Sequence, residues 1–369
     1  MRSVILALAA IVLLETPSFG DDEPKRADES RGGSIEPTLL KTFSVRGRID
    51  GLAFDSKGQT LVTVGWDTPG SSAGEIDAWR SGKSRGDIRM WNVASGAELA
   101  HFGDDVGGMF DVAFSPDDRT ILTAGRAANS PKKGEVRIWD AKTRKPIRSL
   151  EGQTNWVICL ACSPDGKLIA SGGFDRTIRI SEMATGKQLK VLSLSKMTPR
   201  SVRFSRDGQT LVAGYGKGTA TLWEVGTWEE LKSFETKGMY LMSADLSPDG
   251  KHLAAAGAEE KPQPGKGQGG QLVVWNVATS LDERAIRLEQ LASGVAFSPD
   301  GKYYAAAGFI SKIWSADTGE EVADLKRGGT TSEDKIRFSP DGRKLAIGAS
   351  NNVTLWDVSG LGALDRAKK

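Results

Sequence analysis

Histidine, the side chain most often used for acid–base catalysis and metal binding, is rare in this chain. Among its 369 residues there are two histidines, His101 and His252. A metal cluster or a histidine-based catalytic triad requires such residues to meet in the fold. His101 falls in a predicted outer strand and His252 just after a predicted turn, so we expect neither to have a partner. The sequence therefore predicts no catalytic residues and favours a protein that is not an enzyme.

The two cysteines, Cys159 and Cys162, have a Cys-x-x-Cys spacing that can belong to a redox or zinc site. Both lie in one predicted strand, three positions apart, where side chains point to opposite faces. A disulfide between them is geometrically poor, and the sequence contains no further cysteine to complete a zinc set. We expect both thiols to act as buried apolar packing groups.

A repeated strand–turn–strand phrase makes up most of the chain and must position these residues. Its turns, most of them variants of Phe-Ser-Pro-Asp-Gly, lie at 54–58, 114–117, 162–166, 204–208, 246–250, 297–301 and 338–342. The third strand of each copy ends at Trp91-Asn92, Trp139-Asp140, Ser181-Glu182, Trp223-Glu224, Trp275-Asn276, Trp314-Ser315 or Trp356-Asp357. Pro fixes its own φ, Asp bonds nearby backbone and Gly accepts positive φ, which is turn chemistry. Short apolar strands between such turns predict all-β structure with four strands in each copy.

Seven copies of this phrase in order, over residues 38–359, resemble the WD40 repeat family. The resemblance implies a seven-bladed β-propeller of four-stranded antiparallel blades that acts as a non-catalytic binding or scaffold module. The usual Gly-His dipeptide of that family is replaced by Gly103-Asp104 and Gly152-Gln153. We therefore expect the family's buried hydrogen-bond network to be incomplete in every blade.

The last copy has no fourth strand after Trp356, whereas Thr38 to Phe43 has the form of one. We predict that this N-terminal strand pairs with the last blade and closes the ring. Closure would make Asp50 and Asp334, which share one repeat position, neighbours at the channel mouth. Such a pair can hold a divalent cation or do acid–base work, as in a lactonase-like propeller hydrolase, or consist of two solvated loop charges. Because nothing else converges on the pair, we expect no metal and no cofactor.

The N-terminal residues have the pattern of a secretory signal peptide. Arg2 precedes the apolar run Val4 to Leu14, and small residues flank a cleavage position near Gly20. The predicted segments are a signal peptide at 1–20, a flexible charged leader at 21–37, the propeller at 38–359 and a C-terminal tail at 360–369. We expect an exported, periplasmic or extracellular monomer that does not insert into a membrane. The formal net charge of +2 argues against a nucleic-acid partner.

Three copies carry insertions between their second and third strands, at 67–86, 127–134 and 259–270. All three extend the same face of a propeller, and such clustering is typical of a binding face. Aromatic and Arg residues, which dominate binding hot spots, border that face most densely in blades 1 to 3. The candidate contact residues are Arg48, Trp66, Trp79, Arg80, Arg126, Trp156, Phe174, Tyr240 and Phe309. Basic residues in the first two insertions favour an acidic protein segment or an anionic glycan as the partner, and a purely structural module of a cell-envelope assembly is the further alternative.

Overall fold

The computed structural model describes residues 36–45, 47–67, 85–103, 106–128, 130, 132–194, 197–261, 269–325 and 335–363. Within these ranges the chain forms seven four-stranded antiparallel sheets. This confirms the predicted all-β, seven-bladed fold. Within the same ranges, no helix has the length and apolar character needed to cross a membrane.

The strands occupy four concentric positions in the ring. The innermost are β2 (Arg48–Phe54), β6 (Met109–Phe114), β10 (Val157–Cys162), β14 (Pro199–Phe204), β18 (Met239–Leu246), β22 (Ala292–Phe297) and β26 (Lys335–Phe338). The second are β3 (Thr60–Asp67), β7 (Thr120–Arg126), β11 (Leu168–Gly173), β15 (Thr210–Tyr215), β19 (His252–Glu259), β23 (Tyr303–Gly308) and β27 (Lys344–Ala349). The third are β4 (Arg85–Asn92), β8 (Gly134–Asp140), β12 (Ile178–Glu182), β16 (Thr219–Glu224), β20 (Gly270–Asn276), β24 (Ser311–Ser315) and β28 (Asn352–Asp357). The outermost are β5 (Glu98–Phe102), β9 (Pro146–Leu150), β13 (Gln188–Leu192), β17 (Glu230–Glu235), β21 (Asp282–Leu288), β25 (Glu321–Asp324) and β1 (Thr38–Ser44).

The N-terminal strand closes the ring, as predicted. β1 pairs antiparallel with β28, with Leu39 opposite Trp356 and Phe43 opposite Val353. Phe43 is buried and its ring centroid lies 5.3 Å from that of Trp91 in blade 1. The innermost strands touch in succession around the ring, and β26 touches β2. β1 therefore covers the edge of β28, which the last blade would otherwise expose.

The Ser-x-Asp turns close the hairpin between the first and second strands of six blades. In blade 2, Ser115 Oγ donates to Asp117 Oδ1 (2.6 Å) and accepts from the backbone N–H of Thr120 (3.0 Å). The same bond from serine lowers the pKa of the carboxyl in Asp117, Asp165 and Asp207. Because each turn satisfies its own polar groups, local sequence alone specifies it.

The core lies between blades, where apolar faces of neighbouring sheets pack. One cluster combines Cys159 and Ile178 of blade 3 with Val202 and Tyr215 of blade 4. Burial raises the pKa of both cysteine thiols to about 12, and both are free thiols. Cys159 is fully buried as expected, whereas Cys162 keeps some exposure because it lies at the end of β10, next to the turn.

The tryptophan that ends the third strand hydrogen-bonds inside two blades. Trp91 Nε1 donates to Thr63 Oγ1 (3.0 Å) and Trp139 Nε1 donates to Thr123 Oγ1 (2.9 Å). In blade 3, Gln153 Nε2 donates to the buried Ser171 Oγ (3.0 Å). The glutamine thus supplies a donor where the Gly-His dipeptide is missing.

The expectation that neither histidine has a partner was wrong. His101 Nε2 lies 3.0 Å from Asp87 Oδ1, and His252 Nδ1 lies 2.9 Å from Glu283 Oε2. In each blade the carboxylate belongs to another strand of the same sheet. The expectation considered histidines meeting each other and overlooked the acidic residues that strand pairing places on the same face.

Candidate partner-binding face

One edge of the ring carries the starts of the innermost strands and the ends of the second strands, after which the three insertions follow in the sequence. We call this edge the loop face, and the opposite edge with the Ser-x-Asp turns the turn face. Arg48 lies opposite Trp66 in the β2–β3 pair, and the backbone N–H of Phe174 donates to Trp156 O (2.9 Å). Strand pairing therefore brings the residues at the starts of the innermost strands and those at the ends of the second strands to the same edge. The segment between β3 and β4 contains Trp79 and Arg80, which lie outside the described residues.

A continuous group of aromatic rings and guanidinium groups crosses the loop face from blade 2 to blade 5. The Trp156 ring stacks on Phe110 with centroids 6.0 Å apart, and it meets Phe174 edge-on at 5.8 Å. Arg200 Cζ then lies 6.0 Å from the Phe174 ring centroid and 5.8 Å from that of Tyr240. We call this the aromatic–arginine cluster, and it consists of Phe110, Arg126, Trp156, Phe174, Arg200 and Tyr240.

Arg126 belongs to the cluster but is not an accessible contact residue, which corrects the sequence-based assignment. Only 1% of its surface is exposed. Its Cζ lies 5.6 Å from the Trp156 ring centroid, and burial lowers the pKa of the guanidinium. The buried Arg126 guanidinium thus packs against the Trp156 ring from the protein interior. The repeat alignment placed it correctly at the end of β7, where Gly107 of the same blade lies close to the carbonyl oxygen and Cβ of Arg126.

Phe110 and Arg200 were missed by sequence reasoning. Each is the extra residue of a β-bulge, because the pairing register shifts between Met109 and Asp111 in β6 and between Pro199 and Ser201 in β14. A bulge leaves one residue outside the regular alternation and re-aims its side chain. Reading the position one residue after the start of each innermost strand would have found both.

Tyr240 is held over a glycine of the preceding blade. A Cβ atom added to Gly216 would lie 2.7 Å from the Tyr240 ring and hydroxyl. The glycine at 216 therefore leaves the space that the tyrosine ring occupies. This close approach explains how a residue of blade 5 joins a surface that begins in blade 2.

The remaining candidates lie on the loop face beyond this chain of ring contacts. Trp66 in blade 1 and Phe309 in blade 6 are each half-buried, and the backbone N–H of Phe309 donates to Leu291 O (3.1 Å). Arg48 Nε donates to Asp50 Oδ1 (2.7 Å), and Asp50 is 3% exposed. Asp334 lies outside the described residues, so the paired-carboxylate hypothesis stays a hypothesis. No group of three or more His, Cys, Asp or Glu side chains in the described part of the chain is placed to hold a metal ion.

Comparison with known proteins connects this geometry to a family. The family model for the WD40 repeat (WD domain, G-beta repeat) matches residues 144–180. WD repeat and SOCS box-containing protein 1 of Xenopus tropicalis is 31% identical over 104 residues, or 28% of this chain and 24% of that protein. Ribosome assembly protein 4 of Saccharomyces cerevisiae is 39% identical over 59 residues, or 16% of this chain and 10% of that protein.

Protein groucho of Drosophila melanogaster is 25% identical over 111 residues, or 30% of this chain and 14% of that protein. The matches thus cover no more than 24% of the length of these three relatives. The family model's match at residues 144–180 lies within a chain whose described parts form seven four-stranded blades. Together these findings support a WD40 repeat family for the chain.

Proposed function

We propose that this protein is a non-catalytic scaffold that binds a protein partner through the aromatic–arginine cluster of its loop face. WD40 propellers typically serve as protein-interaction scaffolds. The observation that carries the proposal is the unbroken series of contacts from Phe110 through Trp156, Phe174 and Arg200 to Tyr240. Large rings fixed by their neighbours lose little conformational entropy when they bind, which makes them effective contact residues.

The charge around the cluster favours an acidic segment of the partner. Arg200 lies between two aromatic rings, and Lys132 and Lys133 are exposed in the loop between β7 and β8 of blade 2. A guanidinium group held between rings can still donate to a carboxylate. Basic groups at the rim raise the association rate and make it depend on salt, whereas the central rings determine affinity.

The protein is exported in this proposal. The support is the sequence pattern of residues 1–20, with Arg2, an apolar run and small residues before Asp21. Mass spectrometry of the protein recovered from its native cells tests it, and we expect an N-terminus at Asp21. A chain that retains Met1 contradicts it.

The binding experiment is selection from a peptide library displayed on phage, followed by affinity measurement for the selected peptides. We expect peptides enriched in Asp and Glu next to apolar residues, and weaker binding as salt rises. Arg200→Glu abolishes the binding of these peptides, whereas the matched charge reversal Lys167→Glu on the turn face leaves it unchanged. Enrichment without acidic residues, selective binding to an anionic glycan instead of peptides, or loss of binding in Lys167→Glu contradicts the proposal.

A further inference from the structure

The innermost strands surround a channel whose wall carries a second group of basic side chains. Arg200 and Arg203 come from β14, and Lys335 and Arg337 come from β26. We call these four residues the channel cation cluster. They line the mouth of one narrow opening, continuous with solvent, together with Ser201, Ser243 and Ser293.

The carboxylates near this opening are already used to join the blades. Asp111 Oδ2 accepts the backbone N–H of Leu160 in the next blade (3.0 Å) and lies 3.9 Å from Arg203 Nη1. Asp245 Oδ2 accepts the backbone N–H of Phe297 in the next blade (2.8 Å). Among the described residues that line the opening, four side chains are cationic and one, Asp111, is a carboxylate. Burial raises the pKa of Asp245 to about 6, so this carboxylate loses its negative charge at a higher pH than an ordinary aspartate does.

Two of these basic side chains, one from β14 and one from β26, donate hydrogen bonds to backbone carbonyl oxygens. Arg203 Nη1 donates to Val202 O (2.8 Å), and Arg337 Nη1 donates to Ile336 O (2.8 Å). In the described parts of the chain, Lys335 and Arg337 form no ion pair with a carboxylate. Like charges that share a confined opening repel one another, and an anion between them removes that cost.

Two serine hydroxyls at the opening accept backbone hydrogen bonds from the next blade. Ser201 Oγ accepts the backbone N–H of Ala244 (3.0 Å), and Ser243 Oγ accepts the backbone N–H of Val295 (3.3 Å). A hydroxyl that accepts such a bond keeps its own proton for another acceptor. Guanidinium groups, an ammonium group and hydroxyl donors together match the oxygens of a tetrahedral anion.

We propose that the channel cation cluster is a binding site for a small oxyanion of the phosphate or sulfate type. The site lies inside the channel rather than on the loop face, and it goes beyond the scaffold function. Arg200 takes part in both surfaces, since its side chain lies against Phe174 and Tyr240 and also lines the opening. An anion held there would neutralise the wall of the channel beneath the aromatic–arginine cluster.

The test uses inorganic phosphate alone, titrated into the purified protein by isothermal titration calorimetry at constant ionic strength. We expect saturable binding with one site per chain. Lys335→Met and Arg337→Met each weaken it at least tenfold. Lys167→Met, which removes an exposed lysine from the turn face, leaves it unchanged. Equal heats in all four proteins, or no saturable binding in the parent, overturn the proposal.

Thermal unfolding without added oxyanion gives an independent measurement. Removing one cation relieves repulsion, so we expect Lys335→Met to melt at a higher temperature than the parent in chloride buffer. Phosphate then raises the melting temperature of the parent more than that of Lys335→Met, since part of any increase comes from exclusion of phosphate from protein surfaces in general. Equal increases in both proteins overturn the proposal. If Arg337→Met does not fold, Arg337→Gln replaces it.

Discussion

Trp156 meets Phe174 edge-on with ring centroids 5.8 Å apart, and the backbone of Phe174 donates a hydrogen bond to the carbonyl of Trp156. Trp156 immediately precedes β10 and Phe174 immediately follows β11, so the hairpin holds the two rings at the loop face. The same Trp156 ring also stacks on Phe110 of the preceding blade. A ring fixed by two aromatic neighbours and still half-exposed is the strongest single contact that this surface offers.

Replacing Trp156 with alanine tests the importance of that ring. Once an acidic peptide has been selected, we expect Trp156→Ala to weaken binding by about 2 kcal/mol or more, roughly 30-fold. Isothermal titration calorimetry measures the change. Leu281→Ala, in the turn immediately before the outermost strand of blade 5 (66% exposed), is the control and leaves the affinity unchanged. A larger loss in Leu281→Ala than in Trp156→Ala would show that the partner uses the outer rim of the ring.

Gly216→Ala tests the position of Tyr240 without altering any residue of the aromatic–arginine cluster. The added methyl group would lie 2.7 Å from the Tyr240 ring, so the tyrosine must move. We expect peptide affinity to fall about tenfold, close to the effect of Tyr240→Ala. The double variant Gly216→Ala/Tyr240→Ala is the control. If the binding free energy lost in the double variant equals the sum of the losses in the two single variants, Gly216 does not act through Tyr240.

Phe43→Ala tests ring closure by β1. Phe43 is 3% exposed and packs between the last and first blades, whereas Leu39 on the same strand is 48% exposed. Loss of the buried ring costs about 3–5 kcal/mol of unfolding free energy, and Leu39→Ala costs less than about 1 kcal/mol. Urea denaturation followed by tryptophan fluorescence measures both. Similar midpoints for the two variants would contradict the role of β1 in holding the ring shut.

Asp245→Asn tests the poorly hydrated carboxyl in the channel wall. Burial raises the pKa of Asp245 from 3.8 to about 6, so the fold favours the neutral acid. The stabilisation that comes from keeping the Asp245 carboxyl neutral is complete below about pH 4 and is lost as the pH rises through about 6. Asparagine stays neutral throughout. We therefore expect Asp245→Asn to gain up to about 3 kcal/mol of unfolding free energy relative to the parent between pH 4 and pH 7.

Asp165→Asn is the control of opposite sign for that experiment. The bond from Ser163 lowers the pKa of the exposed Asp165 carboxyl, so its stabilising effect is present at neutral pH and is lost in acid. We expect this variant to lose stability relative to the parent as the pH rises from 3 to 5. Chemical denaturation at each pH measures both differences. If the stability of both variants relative to the parent changes with pH in the same direction, the changes do not come from the Asp245 and Asp165 carboxyl groups.

Most of the fold follows from local sequence. Each Ser-x-Asp turn is complete within about six residues, as in Ser115 to Thr120, and the neighbouring strands have an apolar, β-branched composition. Because the turn recurs in six copies and the strand pattern in all seven, these signals predict the number of blades, the strands in each blade and the edge that carries the insertions. Ring closure follows from the same counting, since the fourth strand missing after Trp356 matches Thr38 to Phe43.

The candidate site depended much more on contacts that no single repeat contains. Bulges aim Phe110 and Arg200 out of the regular alternation, and the neighbouring backbone buries Arg126 beneath Trp156. The channel cation cluster brings Arg203 together with Lys335, although they are far apart along the chain. Local turn and strand chemistry therefore determined the architecture from the sequence alone. Only the closed ring decided which side chains meet on the loop face and in the channel, because those meetings arise from packing between different blades.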